Sequence, residues 1–172
     1  MAEALATITD VQDLGMIQIR ADLDAQGQAI AAAAGVALPD QARISMTGTR
    51  VLGWMSPDEL LLVVPIAEVG PTLAALQDAV ADAHALIVDV SDMRAVFDVI
   101  GGRAAQVLAK LSPTDFGKLP SDGLRRTRLA QAACGIWPIA NGYRVIGFRS
   151  VKDYMRGILT AAATPGSQLD PR

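Results

Sequence analysis

The residues able to do chemistry in this chain are few, and their spacing excludes more than it offers. Cys134 is the sole cysteine of 172 residues, which removes a disulfide framework, a Cys-x-x-Cys redox pair and any multi-cysteine metal site. It lies among Ala132, Ala133 and Ile136, and that apolar setting predicts a buried, inert thiol. His84, the only histidine, stands between two alanines at what reads as the end of a helix. No second ligand or orienting group is spaced to make it a metal ligand or a base, so a surface histidine is expected. The glycine-rich turns that cradle FAD, NAD or a nucleoside triphosphate are missing, because neither Gly-x-Gly-x-x-Gly nor Gly-Lys-[Ser/Thr] occurs. Gly101-Gly102 precedes a helical stretch and could aim backbone N–H groups at an anion, but turn geometry and close packing explain two glycines more simply.

One local excess of charge remains. Arg125, Arg126 and Arg128 crowd a stretch in which no Asp or Glu occurs between Asp122 and Asp153. Arg126 and Arg128 fall on one face of an expected strand, with Arg125 beside them, Arg144 on the strand expected to pair and Arg149 beyond. Arg125, Arg126, Arg128 and Arg149, with Trp54, are the candidate contacts for a partner protein; a solvated sheet face is the plainer alternative. Trp54 and Trp137 stand near equivalent points of a repeat described below.

Composition agrees with a covered surface. The chain is 51% hydrophobic and 19% charged, with a net charge of −3, a pI near 5.0 and a mean hydropathy of +0.31. Such a chain has material for a core and is not disordered. Soluble domains carry about 25% charged residues, so the shortage suits either a surface covered by a partner or, more plainly, an Ala-rich composition. The acidic balance argues against nucleic acid. The longest apolar run, Leu60 to Ile66, is broken by Pro65 and falls short of the ~20 residues of a membrane helix. The N-terminus lacks a basic-then-apolar signal pattern, and cytoplasm is the default expectation.

The elements that must position these residues come in two similar series. In the first, a strand Gly15–Arg20 leads to a helix from about Asp24 to Ala34, then strands Arg43–Met46, Val51–Met55 and Leu60–Val64. A helix follows with Val69, Leu73, Leu76 and Val80 on one face. The second series runs strand Ala95–Ile100, a helix with Ala105, Leu108 and Leu111 inward, strands Thr127–Ala133, Ile136–Ala140 and Tyr143–Phe148, and a helix. Ser150 and Asp153 read as a capping box for this last helix, whose inner face would be Val151, Tyr154, Ile158 and Leu159. Asn141-Gly142 marks a hairpin, and the strand Ala85–Val90 sits at the junction. Ile136 follows Trp54 by 82 positions and Tyr154 follows Leu73 by 81, a near-constant offset that implies duplication. The expected fold class is therefore α+β: two β-α-β-β-β-α units with antiparallel sheets and packed helices. Residues 1–12 read as a loose N-terminus, 13–163 as a single duplicated domain with halves of about 14–84 and 85–163, and 164–172 as a flexible tail.

Asp89-Val90-Ser91-Asp92-Met93-Arg94, followed by Ile100-Gly101-Gly102-Arg103-Ala104-Ala105, Leu108, Leu111, Asp115, Leu119 and Gly123, resembles the folate-binding aminomethyltransferases, the T-protein of the glycine cleavage system and its relatives. Adding Trp54, Ser56-Pro57-Asp58-Glu59-Leu60-Leu61-Leu62, Val107-Leu108-Ala109-Lys110 and Arg149-Ser150, the closer resemblance is to the gamma subunits of heterotetrameric sarcosine oxidases, over about Arg43 to Leu159. It implies a duplicated folate-binding-type domain with an accessory role. That family demethylates sarcosine to glycine, reduces oxygen to hydrogen peroxide and passes the one-carbon unit to tetrahydrofolate as methylene-tetrahydrofolate. By the resemblance, FAD, FMN, NAD and tetrahydrofolate belong to the alpha and beta subunits, zinc belongs to the delta subunit, and this chain binds no cofactor. No catalytic or metal-binding residue is expected. Aminomethyltransferases place an acid just after a glycine-containing turn, here Cys134-Gly135, where this chain has Ile136-Trp137-Pro138-Ile139. Without an acid or base in reach, the transfer has no proton path. The alternative is a free-standing aminomethyltransferase-like one-carbon enzyme with Asp89 or Asp92 as its acid.

Overall fold

The computed structural model describes residues 3–169. The strands in chain order are β1 (Thr7–Asp10), β2 (Leu14–Arg20), β3 (Ile44–Thr47), β4 (Arg50–Ser56), β5 (Glu59–Pro65), β6 (Leu86–Asp89), β7 (Arg94–Ile100), β8 (Arg125–Leu129), β9 (Ala132–Ile139) and β10 (Gly142–Phe148). The helices are α1 (Leu23–Ala34), α2 (Val69–Ala79), α3 (Ala104–Ala109) and α4 (Lys152–Ala162). The chain divides into two compact units, Asp13–Asp92 and Met93–Arg172 together with Met1–Gln12. No helix among the described residues is long and apolar enough to cross a membrane.

In the unit Asp13–Asp92, the apolar runs of β2 and β5 place Ile17, Ile19, Leu60, Leu62 and Val64 on one face of an antiparallel sheet of order β3-β4-β5-β2-β6. Ile30 and Ala34 of α1 and Val69 and Leu76 of α2 close over that face. Burial of such side chains, each contributing about 1.5–3 kcal/mol, holds the unit together. Local chemistry sets the ends of α1. The Asp22 carboxylate accepts the N–H groups of Asp24 and Ala25, and Gly35 turns left-handed at φ 68° to end the helix. Arg50 braces the same region, donating to the Ala34 carbonyl at 2.8 Å and to Glu68 Oε2 at 2.7 Å.

The other unit repeats the plan with sheet order β8-β9-β10-β7-β1. Phe97, Val99, Leu108, Leu129, Ile136, Val145, Met155 and Leu159 form its core. Equivalent elements keep their spacing: β7 starts at Arg94 against Leu14 for β2, an offset of 80, and α4 starts at Lys152 against Val69 for α2, an offset of 83. Leu76 and Leu159, both wholly buried, occupy the same place in the two helices.

Each sheet also has a fifth strand, and this moves the expected boundaries. The strand after α2 is β6, which pairs with β2 (Ile17 opposite Asp89, Ile19 opposite Ile87). It therefore belongs to the first unit, and the division falls at 92/93 rather than 84/85. The matching strand of the second unit is β1, from the start of the chain, paired antiparallel to β7 with Thr7 opposite Ile100 and Asp10 opposite Phe97. The N-terminal segment is thus not loose over its described part. Asp10 is gripped by Lys152 at 2.7 Å and by Arg156, while residues 1–2 lie outside the described residues. The expected tail is also tied down over 164–167: Lys110 Nζ donates to the Ala162 carbonyl and, at 2.9 Å, to Ser167 Oγ, and the Ser167 N–H donates to the Thr164 carbonyl. Residues 170–172 of that tail lie outside the described residues.

Two local expectations are corrected. The hairpin joining β8 to β9 turns at Ala130-Gln131, so Cys134 and Gly135 lie inside β9. Ala130 adopts φ 53° and donates its N–H to the Leu111 carbonyl at 2.6 Å, a long-range contact that sets the turn where no glycine or asparagine marks it. The last helix starts after a 3₁₀ turn at Arg149–Val151, and no side chain caps it. Of the expected inner residues, Leu159 is buried and Val151 and Ile158 pack against the core; Met155 and Ala162 are buried beside them, while Tyr154 is exposed. The missing side chain of Gly147 makes room for the Met155 sulfur.

Candidate partner interface

β8 displays Arg125, Arg126 and Arg128, all exposed. The ladder to β9 sets Arg125 opposite Ile136, Arg126 opposite Gly135 and Arg128 opposite Ala133. Ile136 belongs to the helix-covered core, so Arg125 points to that side, and Arg126 and Arg128 share the other. Arg125 and Arg128 form no ion pair among the described residues, whereas Arg126 holds an interaction within the chain. Arg144 does not belong with this group. It lies on β10, separated from β8 by β9, and forms a two-pronged pair with Asp98 on β7 at 2.7 and 2.8 Å. The two side chains are only 20% and 17% exposed.

Arg149 is exposed in the turn after β10 and holds an interaction of its own. Trp54 lies in the other unit, half-buried against its core and opposite Leu60. Trp137 lies opposite Arg144 and is buried. Since Leu60 corresponds to Tyr143 across the repeat, Trp54 corresponds to Pro138, one position beyond Trp137. The structure thus gathers Arg125, Arg126 and Arg128 on one strand, with Arg149 in the turn after β10 and Trp54 in the other unit. Sequence reasoning missed Phe148, an exposed ring with the Arg94 guanidinium 4.6 Å from its centre. Its signal was present, because these residues end two strands that pair, Phe148 opposite Arg94.

The positions that could carry chemistry are engaged elsewhere. Cys134 is buried, and desolvation pushes its thiol up to about 12, so the nucleophilic thiolate is suppressed near neutrality. Asp89 Oδ1 accepts the Ser91 N–H at 2.9 Å and the Ser91 hydroxyl at 2.6 Å, and Ser91 Oγ in turn accepts the Met16 N–H. That carboxylate holds a turn, and Asp92 likewise has a partner. At the place where the aminomethyltransferases carry their acid, Ile136 and Trp137 are buried in β9.

Gly101 sits at φ 139°, where a Cβ would lie 3.3 Å from Ala6 Cα; close packing of the N-terminal segment requires this glycine. The cleft beside it, about 540 Å³ and lined by Glu3, Gly102 and Arg103 among others, carries charges of both signs. His84 is exposed on an open cleft with Arg20, Asp22 and Asp58. There the Ser56 hydroxyl, with a smaller contribution from Arg20, lowers the Asp58 carboxyl below its ordinary value. No cluster of three metal-binding side chains occurs among the described residues.

The sarcosine oxidase gamma subunit family matches residues 20–164. The gamma subunit of sarcosine oxidase from Corynebacterium sp. (strain U-96) is 36% identical over 118 residues, which are 66% of this chain and 56% of that relative, so little more than half of its length is spanned. A chain of heterotetrameric sarcosine oxidase from Corynebacterium sp. U-96, solved with pyrrole 2-carboxylate, superposes with a TM-score of 0.88 at 26% identity, covering 100% of this chain and 91% of that one. The aminomethyltransferase T of the glycine cleavage system of Bartonella henselae shares the fold, with a TM-score of 0.69 at 15% identity over 92% of this chain and 46% of that one. With the family pattern running through both units, from the end of β2 past the end of α4, this chain belongs to the sarcosine oxidase gamma subunit family.

Proposed function

We propose that the chain is a non-catalytic assembly subunit of a heterotetrameric sarcosine oxidase, an oxidoreductase complex that converts sarcosine to glycine with release of hydrogen peroxide and formation of methylene-tetrahydrofolate. The family match over residues 20–164 carries this reading. Support comes from the ion-paired Asp98 and the unreactive setting of Cys134 in the unit that holds the apolar stretch Ile136–Ile139, and from Asp89, held by Ser91 in the other unit. In this account the alpha, beta and delta subunits are the partners, FAD, FMN, NAD and tetrahydrofolate reside on those other subunits, and the complex works in the cytoplasm.

Reconstitution with one chain omitted tests the proposal. The other three subunits produced without this chain should give little intact complex and little sarcosine-dependent hydrogen peroxide, and adding it should restore both. Undiminished assembly and turnover in its absence would end the proposal. The competing reading, a free-standing folate-dependent enzyme, has the shared fold with aminomethyltransferase T behind it. Calorimetric titration of the isolated chain with tetrahydrofolate separates the two: no heat of binding is expected, and tight binding would favour the enzyme.

A further inference from the structure

β8 is the end strand of its sheet and pairs with β9 alone, and no backbone hydrogen bond beyond that ladder involves Arg125, Thr127, Arg128 or Leu129 among the described residues. Arg125 and Arg128 straddle this open edge, three positions apart and therefore on opposite faces, both exposed and without an ion pair among the described residues. Charged residues on an edge strand can serve only to prevent aggregation. The repeat within the chain argues against that here: β3 holds the same edge place in its sheet, and its arginine, Arg43, which extends the strand by pairing with Trp54, is half-buried and engaged within the chain. Exposed arginines without an ion pair thus occur on one of the two equivalent edges among the described residues.

We infer that the β8 edge accepts an extended acidic segment of a partner subunit as a sixth strand, with two carboxylates three positions apart on that segment reaching Arg125 and Arg128 from opposite faces. Backbone pairing along the edge supplies affinity, and the paired arginines select an acidic sequence and fix its register. The inference rests on the reading of the chain as a subunit and names the surface that reading needs.

Two arms test it. In the first, a fluorescein-labelled Thr/Val peptide with two Glu three positions apart is titrated onto the full chain by anisotropy. Binding should weaken as salt rises, weaken roughly tenfold or more in the R125E/R128E variant, and weaken likewise for the peptide with Gln in place of both Glu. The variant's circular dichroism and melting temperature should match wild type, since both side chains are exposed. In the second arm, hydrogen exchange of residues 125–129 should slow on assembly with the other subunits, and R125E/R128E should lower the yield of complex. A peptide that fails to bind, or binds the variant equally, overturns the inference, as does an RNA oligomer that displaces it from this edge. Assembly that leaves the β8 amides unprotected also overturns it. If the chain does not assemble at all while the peptide arm succeeds, the subunit reading falls and the edge site stands.

Discussion

Asp98 and Arg144 face each other across β7 and β10 with two hydrogen bonds and little exposure, so removing one partner strands the other. Asp98→Ala is expected to cost about 2–3 kcal/mol, somewhat below the figure for a fully buried pair because water still reaches both groups. Chemical denaturation would measure it, and Asp98→Asn should recover part of the loss. Cys134 gives a second check. Burial raises its thiol to about 12, so it should resist Ellman's reagent in the native chain and react once the chain is unfolded. Because the native state favours the protonated thiol, its contribution to stability is complete below the unfolded value of 9.0 and is lost as pH climbs toward 12. A Cys134→Ala variant should lose less stability than wild type between pH 9 and 11. The burial of the thiol was legible in the sequence, from the alanines and isoleucine around it. The fate of Arg144 was not, since it depends on which strand lies beside β10.

At the scale of elements, strands and helices with a clear period emerged where alternation and helical spacing put them, and misplacements arose where a distant contact decides. The β8–β9 turn depends on Ala130 donating to Leu111, which no local residue announces. A non-glycine residue at positive φ costs about 1 kcal/mol, so Ala130→Gly should raise stability by about 0.5–1 kcal/mol, read from the denaturation midpoint. The burial of Met155 on α4 uses the room that Gly147 leaves for its sulfur, a fit across elements that periodicity alone cannot supply. β1 is the clearest case. Thr7–Asp10 is too short to stand out, and only the open edge of β7 gives it a place. A chain lacking residues 1–12 should lose at least about 2 kcal/mol through the exposed β7 edge and the lost packing of Leu5 and Ile8. Asp10→Asn should lose less.

Over the whole molecule, the duplication was readable because both halves carry the same order of strands and helices. The fifth strand of each sheet was not, since the second sheet takes its strand from the opposite end of the chain. Each unit has a core of its own, so the 19% charge is not explained by one oversized interior. Met46, Leu86, Met93 and Phe148 are large apolar side chains left exposed, and the proposed subunit role predicts a partner over such residues. Native mass spectrometry of the purified sarcosine-oxidising complex, alongside its hydrogen peroxide production, tests this most directly. The account predicts an assembly that contains this 18.0 kDa chain and falls apart, with loss of activity, when the chain is withheld; a complete, fully active oxidase without it would contradict the account.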